Sequence, residues 1–243
     1  MVLDKGEPVY FGNPTEATKS YQLMVQEESG KPDSVEPLNR ARTTSASAWT
    51  DSFNHDFVWP DLSSFLDLSM VRQISNGWAR CSRVALCDEN GQLRSIFEQG
   101  SRALFYSEFD VLEGIEVPSA GIAIRNRTGV AVYAKHSLQM GTRVPTFIPK
   151  GSRLRFCHDV MLDLACGEYT FDFGLINISH QIYERKEIDY ETFLSNHLRL
   201  CEVTAPSAFT VILPKRFKCM QLRHFGLANL EDRCHVSLIP TNY

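Results

Sequence analysis

The 243-residue chain predicts an all-β protein built as an antiparallel β-sandwich. Two observations carry that expectation. From Trp78 onward the apolar residues recur with a period of two, and turn residues return at roughly ten-residue spacing, the pattern of stacked antiparallel sheets. Only one later stretch, residues 182–200 with Tyr183, Tyr190, Phe193, Leu194, His197 and Leu198, carries anything like helical spacing.

The strands follow in order. Residues 81–87 lead into Asp88-Glu89-Asn90-Gly91, where Asn-Gly supplies the positive φ values of a tight hairpin, and a second strand runs through 93–97. In residues 103–111, Ala103, Phe105, Ser107, Phe109 and Val111 share one face and Leu104, Tyr106, Glu108 and Asp110 the other, so one face is core and the other polar. The clearest hairpin joins 121–125 to 130–135 through Asn126-Arg127-Thr128-Gly129. Residues 153–164 alternate Leu154, Phe156, Val160 and Leu162 against Arg153, Arg155, Asp159 and Asp163. A turn at Gly167 then opens a strand with Tyr169, Phe171, Phe173 and Leu175, and a last strand spans 209–213.

Upstream, the organisation changes twice. Residues 1–25 read as strand, turn and short helix: Asn13 suits an N-cap, Pro14 the first helical position, and Glu16 the first turn, where the helix dipole favours an anion. Residues 26–47 are polar and rich in Ser and Pro, a linker composition that buries too little apolar surface to offset the entropy of ordering. Residues 48–75 carry Trp49, Phe53, Phe57, Trp59, Phe65 and Leu68 without periodicity and read as an irregular lead-in lying against the next unit. The expected division is therefore 1–25, a linker and lead-in over 26–75, and a sandwich over 76–243.

Composition bounds the function. With 43% hydrophobic residues the chain has material for a substantial core. A net charge of −4 and a pI near 6.0 offer no basic face for phosphate backbones, so nucleic acid is not an expected partner. No apolar run approaches the roughly 18 residues of a membrane span. No signal peptide is visible, and the seven cysteines (Cys81, Cys87, Cys157, Cys166, Cys201, Cys219, Cys234) include no CxxC pair, which fits reduced thiols and a cytoplasmic location.

Catalytic patterns are sparse. There is no G-x-x-x-x-G-K-[ST] loop, and Gly30-Lys31 is followed by Pro32, which has no hydroxyl for Mg²⁺. Cys157, His158 and Asp159 are neighbours on a strand and alternate in direction, which a catalytic triad does not tolerate. Cys219, His224, Cys234 and His235 have no paired-ligand spacing, so no metal or other cofactor is expected. Glu108 and Asp110 share a strand face about 7 Å apart, a separation near the ranges of both glycosidase mechanisms that distinguishes neither; a solvated face is the commoner reading. Asn126-Arg127-Thr128 has the form of a glycosylation acceptor but reads as a hairpin turn.

Two sets of residues carry a family resemblance. Lys5-Gly6-Glu7-Pro8-Val9-Tyr10-Phe11-Gly12-Asn13-Pro14-Thr15-Glu16-Ala17 resembles the C-terminal end of an ABC-transporter ATPase domain. Arg80-Cys81-Ser82-Arg83-Val84-Ala85-Leu86-Cys87-Asp88-Glu89-Asn90-Gly91 with Phe97-Glu98-Gln99-Gly100, then Gly121-Ile122-Ala123-Ile124-Arg125-Asn126-Arg127-Thr128-Gly129, then Leu164-Ala165-Cys166-Gly167-Glu168-Tyr169-Thr170-Phe171, resemble the carbohydrate-binding module behind the ATPase of O-antigen-type polysaccharide ABC exporters.

The resemblance implies an immunoglobulin-like or jelly-roll β-sandwich that recognises a lipid-linked polysaccharide without turning it over. It also implies a homodimer, with C-terminal strand exchange in known cases, peripheral to the inner membrane and joined to the transporter's membrane subunit through an ATPase domain. A sugar face needs aromatic rings for CH surfaces and planar polar groups for hydroxyls. Tyr106, Glu108, Arg125, Tyr133, Lys135, Arg155, Thr170 and Asp172 are of those types at positions read as outward. An ordinary polar sheet surface is the alternative at each of them. For the whole chain, a dimerisation or docking module without a glycan site and a polysaccharide-modifying enzyme stand as the other readings.

Overall fold

The computed structural model describes residues 1–12, 14–28, 58–185, 197–214, 224, 226 and 227. Asn13, the greater part of the expected linker, residues 186–196 of the expected late helix, and Cys219, Cys234 and His235 lie outside these residues.

The body is an all-β sandwich. One sheet holds three antiparallel strands in the order β4 (Ala79–Cys87), β6 (Arg102–Val111), β9 (Arg153–Met161). The other is seven-stranded and organised around β10 (Gly167–Ile178). One edge of β10 pairs from Tyr169 to Ile178 with β7 (Val117–Asn126), which in turn pairs with β8 (Ala131–His136). The other edge is divided. Its first residues pair with β12 (Ala208–Ile212), which carries β5 (Ile96–Glu98) in parallel; its later residues pair with β11 (His197–Val203), which carries β3 (Gln73–Ser75).

Between the sheets lies a core fed by alternate residues of each strand: Phe105 and Phe109 from β6, Ile122 and Ile124 from β7, Phe171, Phe173 and Leu175 from β10, and Phe209 from β12. Phe105 meets Phe171 edge-on at 5.3 Å and Phe209 at 5.9 Å, the geometry in which ring edges face ring clouds. Gln99, buried at the rim, donates its side-chain amide to the Leu164 carbonyl, so its burial leaves that donor satisfied.

The turns follow their residues. Asn126 accepts with Oδ1 from the backbone N–H groups of Thr128 and Val130 and from the Thr128 hydroxyl, and Gly129 sits at φ +80°. The side-chain carbonyl of Asn126 is thus spent inside the hairpin. The β7–β8 register slips at Val132: Arg125 faces Ala131 but Ile124 faces Tyr133. That bulge inverts which side of β8 each later residue takes.

Two expectations are corrected. Residues 182–200 are not one helix: a four-residue turn of helix α2 (His180–Tyr183) is followed later by strand β11, whose Leu200, Cys201 and Val203 enter the sandwich core. At the N-terminus the short helix runs further than its sequence pattern. Strands β1 (Val2–Asp4) and β2 (Glu7–Tyr10) pair around the Lys5-Gly6 turn and lead to α1 (Pro14–Glu28). No helix of the described residues is long and apolar enough to cross a membrane.

Candidate binding cleft

On β6 the alternation sends Tyr106 and Glu108 away from the core, as the sequence predicts, but neither reaches solvent. Tyr106 is 1% exposed and Glu108 0%. The segment before β3 lies across this outer face, anchored by Leu66 N–H on the Val84 carbonyl at 2.8 Å. Trp59 and Phe65 from that strap cover Tyr106, whose hydroxyl donates to the Val58 carbonyl at 3.1 Å. Burial pushes the Tyr106 phenol well above its ordinary range.

Glu108 is buried by arginines. The register sets Arg83 on β4 and Arg155 on β9 opposite it. Its carboxylate accepts from Arg155 Nε at 2.8 Å and from the Ser82 hydroxyl at 3.2 Å, with Arg83 at 3.5 Å and Arg153 at 3.6 Å. Arg153 also donates to Asp110 at 3.0 Å. Both carboxylates of the supposed glycosidase pair are therefore held as counter-ions by arginines, with Arg153 shared between them, an arrangement suited to fixing guanidinium planes.

Those planes border a cleft of about 1160 Å³ along the free edge of β9, facing the segment that follows β8. Trp59, Leu104 and Phe156 give it apolar surface. Arg102, Arg143, Arg153 and Arg155 bring fork-shaped donors, and Asn90 and Asp159 bring acceptors. Arg155 stacks on Trp59 with its guanidinium carbon 4.6 Å from the ring centroid, and Arg102 pairs with Asp159 at 2.8 Å. No ion pair of Arg143 occurs among the described residues.

The neighbouring titratable groups are quiet. Burial pushes Cys157 up to about 12, so the thiol stays protonated. His158 points the other way, into the sandwich, with Nε2 3.2 Å from the Ala120 carbonyl, and burial takes its pKa down to about 4. Cys157, His158 and Asp159 thus form no relay.

The remaining residues read as outward lie elsewhere. Arg125, Thr170 and Asp172 share the outer face of the seven-stranded sheet, on the opposite side of the sandwich from Tyr106, Glu108 and Arg155, and line a separate cleft of about 640 Å³. Asp172 is nevertheless buried, because Arg125, Lys19 and the Ala205 N–H converge on it. Tyr133 is corrected outright: the slip at Val132 sets it beside Ile124, where it packs against the core. Lys135, opposite Ile122, takes the same side and escapes burial because β8 is an edge strand. The eight residues do not make one surface.

Arg102, Arg143, Arg153, Asn90 and Trp59 were not among the sequence's candidates. Trp59 had a signal, an aromatic without periodicity that needed something to pack on. Arg153 and Arg102 had none beyond lying on strand positions whose neighbours only pairing reveals. His224, one of the possible metal ligands, has Nε2 3.6 Å from Asp163 and Nδ1 2.9 Å from the Gly226 carbonyl. Among the described residues no cluster could hold a metal ion.

No curated protein matches the chain. Among solved structures it is similar to the crystal structure of the C-terminal domain of wzt, at 14% identity over 62% of this chain and 83% of that one with a TM-score of 0.49. It is also similar to the CARDB domain of the PF1109 protein from Pyrococcus furiosus, at 8% identity over 58% of this chain and 100% of that one with a TM-score of 0.29. The family described as the Wzt C-terminal domain matches residues 71–193, from the lead-in through β10 and α2. The chain belongs to the Wzt C-terminal domain family, the C-terminal domain of the ATP-binding subunit of O-antigen ABC exporters.

Proposed function

We propose that this chain recognises the lipid-linked polysaccharide that its exporter carries, and that it does so without catalysis in the cleft beside β9. The observation that supports this most is the pairing of Trp59 with Arg155 at the border of that cleft. An indole offers a flat apolar surface to the CH face of a pyranose, and a guanidinium held in plane by Glu108 offers two parallel donors to neighbouring hydroxyls. Each sugar hydroxyl exchanges water for protein at a net gain of about 1 kcal/mol, so binding is weak per sugar and suits a ligand that must be released to the transporter.

In this reading the protein is a homodimer on the cytoplasmic side of the inner membrane, joined to the transporter's membrane subunit through an ATPase domain of which residues 1–25 are the tail. Residues 26–75 are then linker and lead-in, and 76–243 the carbohydrate-binding sandwich.

The test is calorimetric titration of the 243-residue chain with the O-antigen polysaccharide of its source organism. Binding without any change in the glycan, weakened about tenfold by Trp59→Ala or Arg143→Ala, is the expected result, since a stacking ring or a charged donor each contributes about 1–2 kcal/mol. A dimer that binds no glycan supports a docking module instead, and a shortened or modified glycan supports an enzyme.

A further inference from the structure

The outer face of the seven-stranded sheet is not bare. Lys19, at the middle of α1, is 6% exposed and reaches Asp172 on β10 at 3.4 Å, Glu202 on β11, and the Thr204 hydroxyl at 3.2 Å. One helical turn on, Leu23 is buried and Gln22 accepts from Arg199 at 3.1 Å. In the strands before the helix, the ring of Tyr10 carries the Arg72 guanidinium 4.5 Å over its face.

Charge on the sheet side is already balanced. Asp172 accepts from Arg125 at 2.9 Å and from the Ala205 N–H at 3.0 Å, while Glu202 pairs with Arg199. Removing one partner of a buried pair is severe when it strands a bare charge. Here loss of Lys19 leaves each carboxylate with an arginine of its own sheet, so the sandwich can survive without the helix. The converse does not hold. A helix of 15 residues is marginal alone in water, and α1 buries little apolar surface beyond Leu23 among its described side chains.

We infer that the outer face of the seven-stranded sheet around Asp172 and Glu202 is a docking surface for α1 of this chain, and that Lys19 makes the contact releasable. Glycan recognition in the cleft beside β9 is not needed for this inference, which concerns the opposite sheet. The contact has a mechanical consequence. Asp172 Oδ2 is shared between Lys19 and Arg125, and both Asp172 and Arg125 line the 640 Å³ cleft. When the helix leaves, that oxygen belongs to Arg125 alone, so the position of the N-terminal unit is registered at a cleft on the sandwich.

Hydrogen exchange on the full 243-residue chain tests this, because amides of a locally released element exchange without global unfolding. In Lys19→Glu the amides of residues 17–28 should exchange about tenfold faster or more, while those of 103–111 and 167–178 keep wild-type protection. Lys19→Met, which preserves length and helix propensity, should accelerate the same helical amides and so separates lost charge from lost helicity. Helical exchange that stays at the wild-type rate in either variant overturns the inference. So does loss of protection in the core strands, which would make Lys19 part of the sandwich's own stability.

Discussion

Arg155 donates Nε–H to Glu108 at 2.8 Å while its guanidinium lies 4.6 Å over Trp59, so one side chain joins a fully buried carboxylate to an aromatic ring of the strap. The two partners are not equivalent. Glu108 has no water to turn to, whereas Arg155 keeps 45% of its side chain exposed.

Truncation should therefore be asymmetric. Arg155→Ala removes the closest donor to Glu108 and leaves Arg83 and Arg153 at 3.5 and 3.6 Å, so it should cost about 3 kcal/mol, the upper end for a hydrogen bond to a charged group. Glu108→Gln leaves arginines that can turn to solvent and should cost about 2 kcal/mol. Urea unfolding of both variants checks the order; equal losses would show that the pair is screened by water.

Phe171 is wholly buried and touches Phe105 and Phe173 edge-on. Phe171→Ala should cost about 3–5 kcal/mol, combining lost burial with a cavity in a packed core. Phe156 is only half-buried, and its truncation should cost clearly less in the same denaturant series.

Acid should weaken the fold through histidines. Burial holds His158 at about 4, and burial together with nearby His197, His158 and Arg199 holds His136 at about 4. Each is lowered from 6.5, so the unfolded chain binds protons at pH values where the native one does not. Stability is then present above pH 6.5 and is lost as pH falls towards 4, by up to about 1.4 kcal/mol per unit for each group. Urea midpoints between pH 7 and 4.5 should fall in the wild type and fall less steeply in His158→Gln.

Gly129 closes the β7–β8 hairpin at φ +80°, with nothing within 4 Å of where a Cβ would stand. Gly129→Ala meets no clash, so its cost is the backbone's alone, about 1 kcal/mol. A thermal melt showing no loss would mean that the turn relaxes to another type.

How much of this was legible depended on how local the determinant was. The alternation of residues 103–111 identified the core face of β6 because Phe105 and Phe109 declare it within one strand. The Asn126 to Gly129 turn was equally local. What escaped was set by partners distant in sequence. Glu108 and Tyr106 look outward on their own strand, and only the strap and the register with β4 and β9 bury them. Tyr133 was lost to a single bulged residue, Val132, which nothing in an alternating run announces. Residues 197–203 carry Leu198, Leu200, Cys201 and Val203, and the pairing with β10 decides their conformation more than their helical spacing does.

The divided edge of β10 also has a temporal meaning. The first half of that edge pairs with β12, and among the described residues β12 alone supplies the parallel ladder to β5, a strand more than a hundred residues earlier. On a ribosome, Ile96 to Glu98 must wait for residue 212 to emerge before their partner exists. Long-range pairing of this kind is slow to form and leaves strand edges open in the interval. The nascent sandwich is thus most vulnerable to misassociation just before its last described strand is made, and that is the stage at which a chaperone would find it.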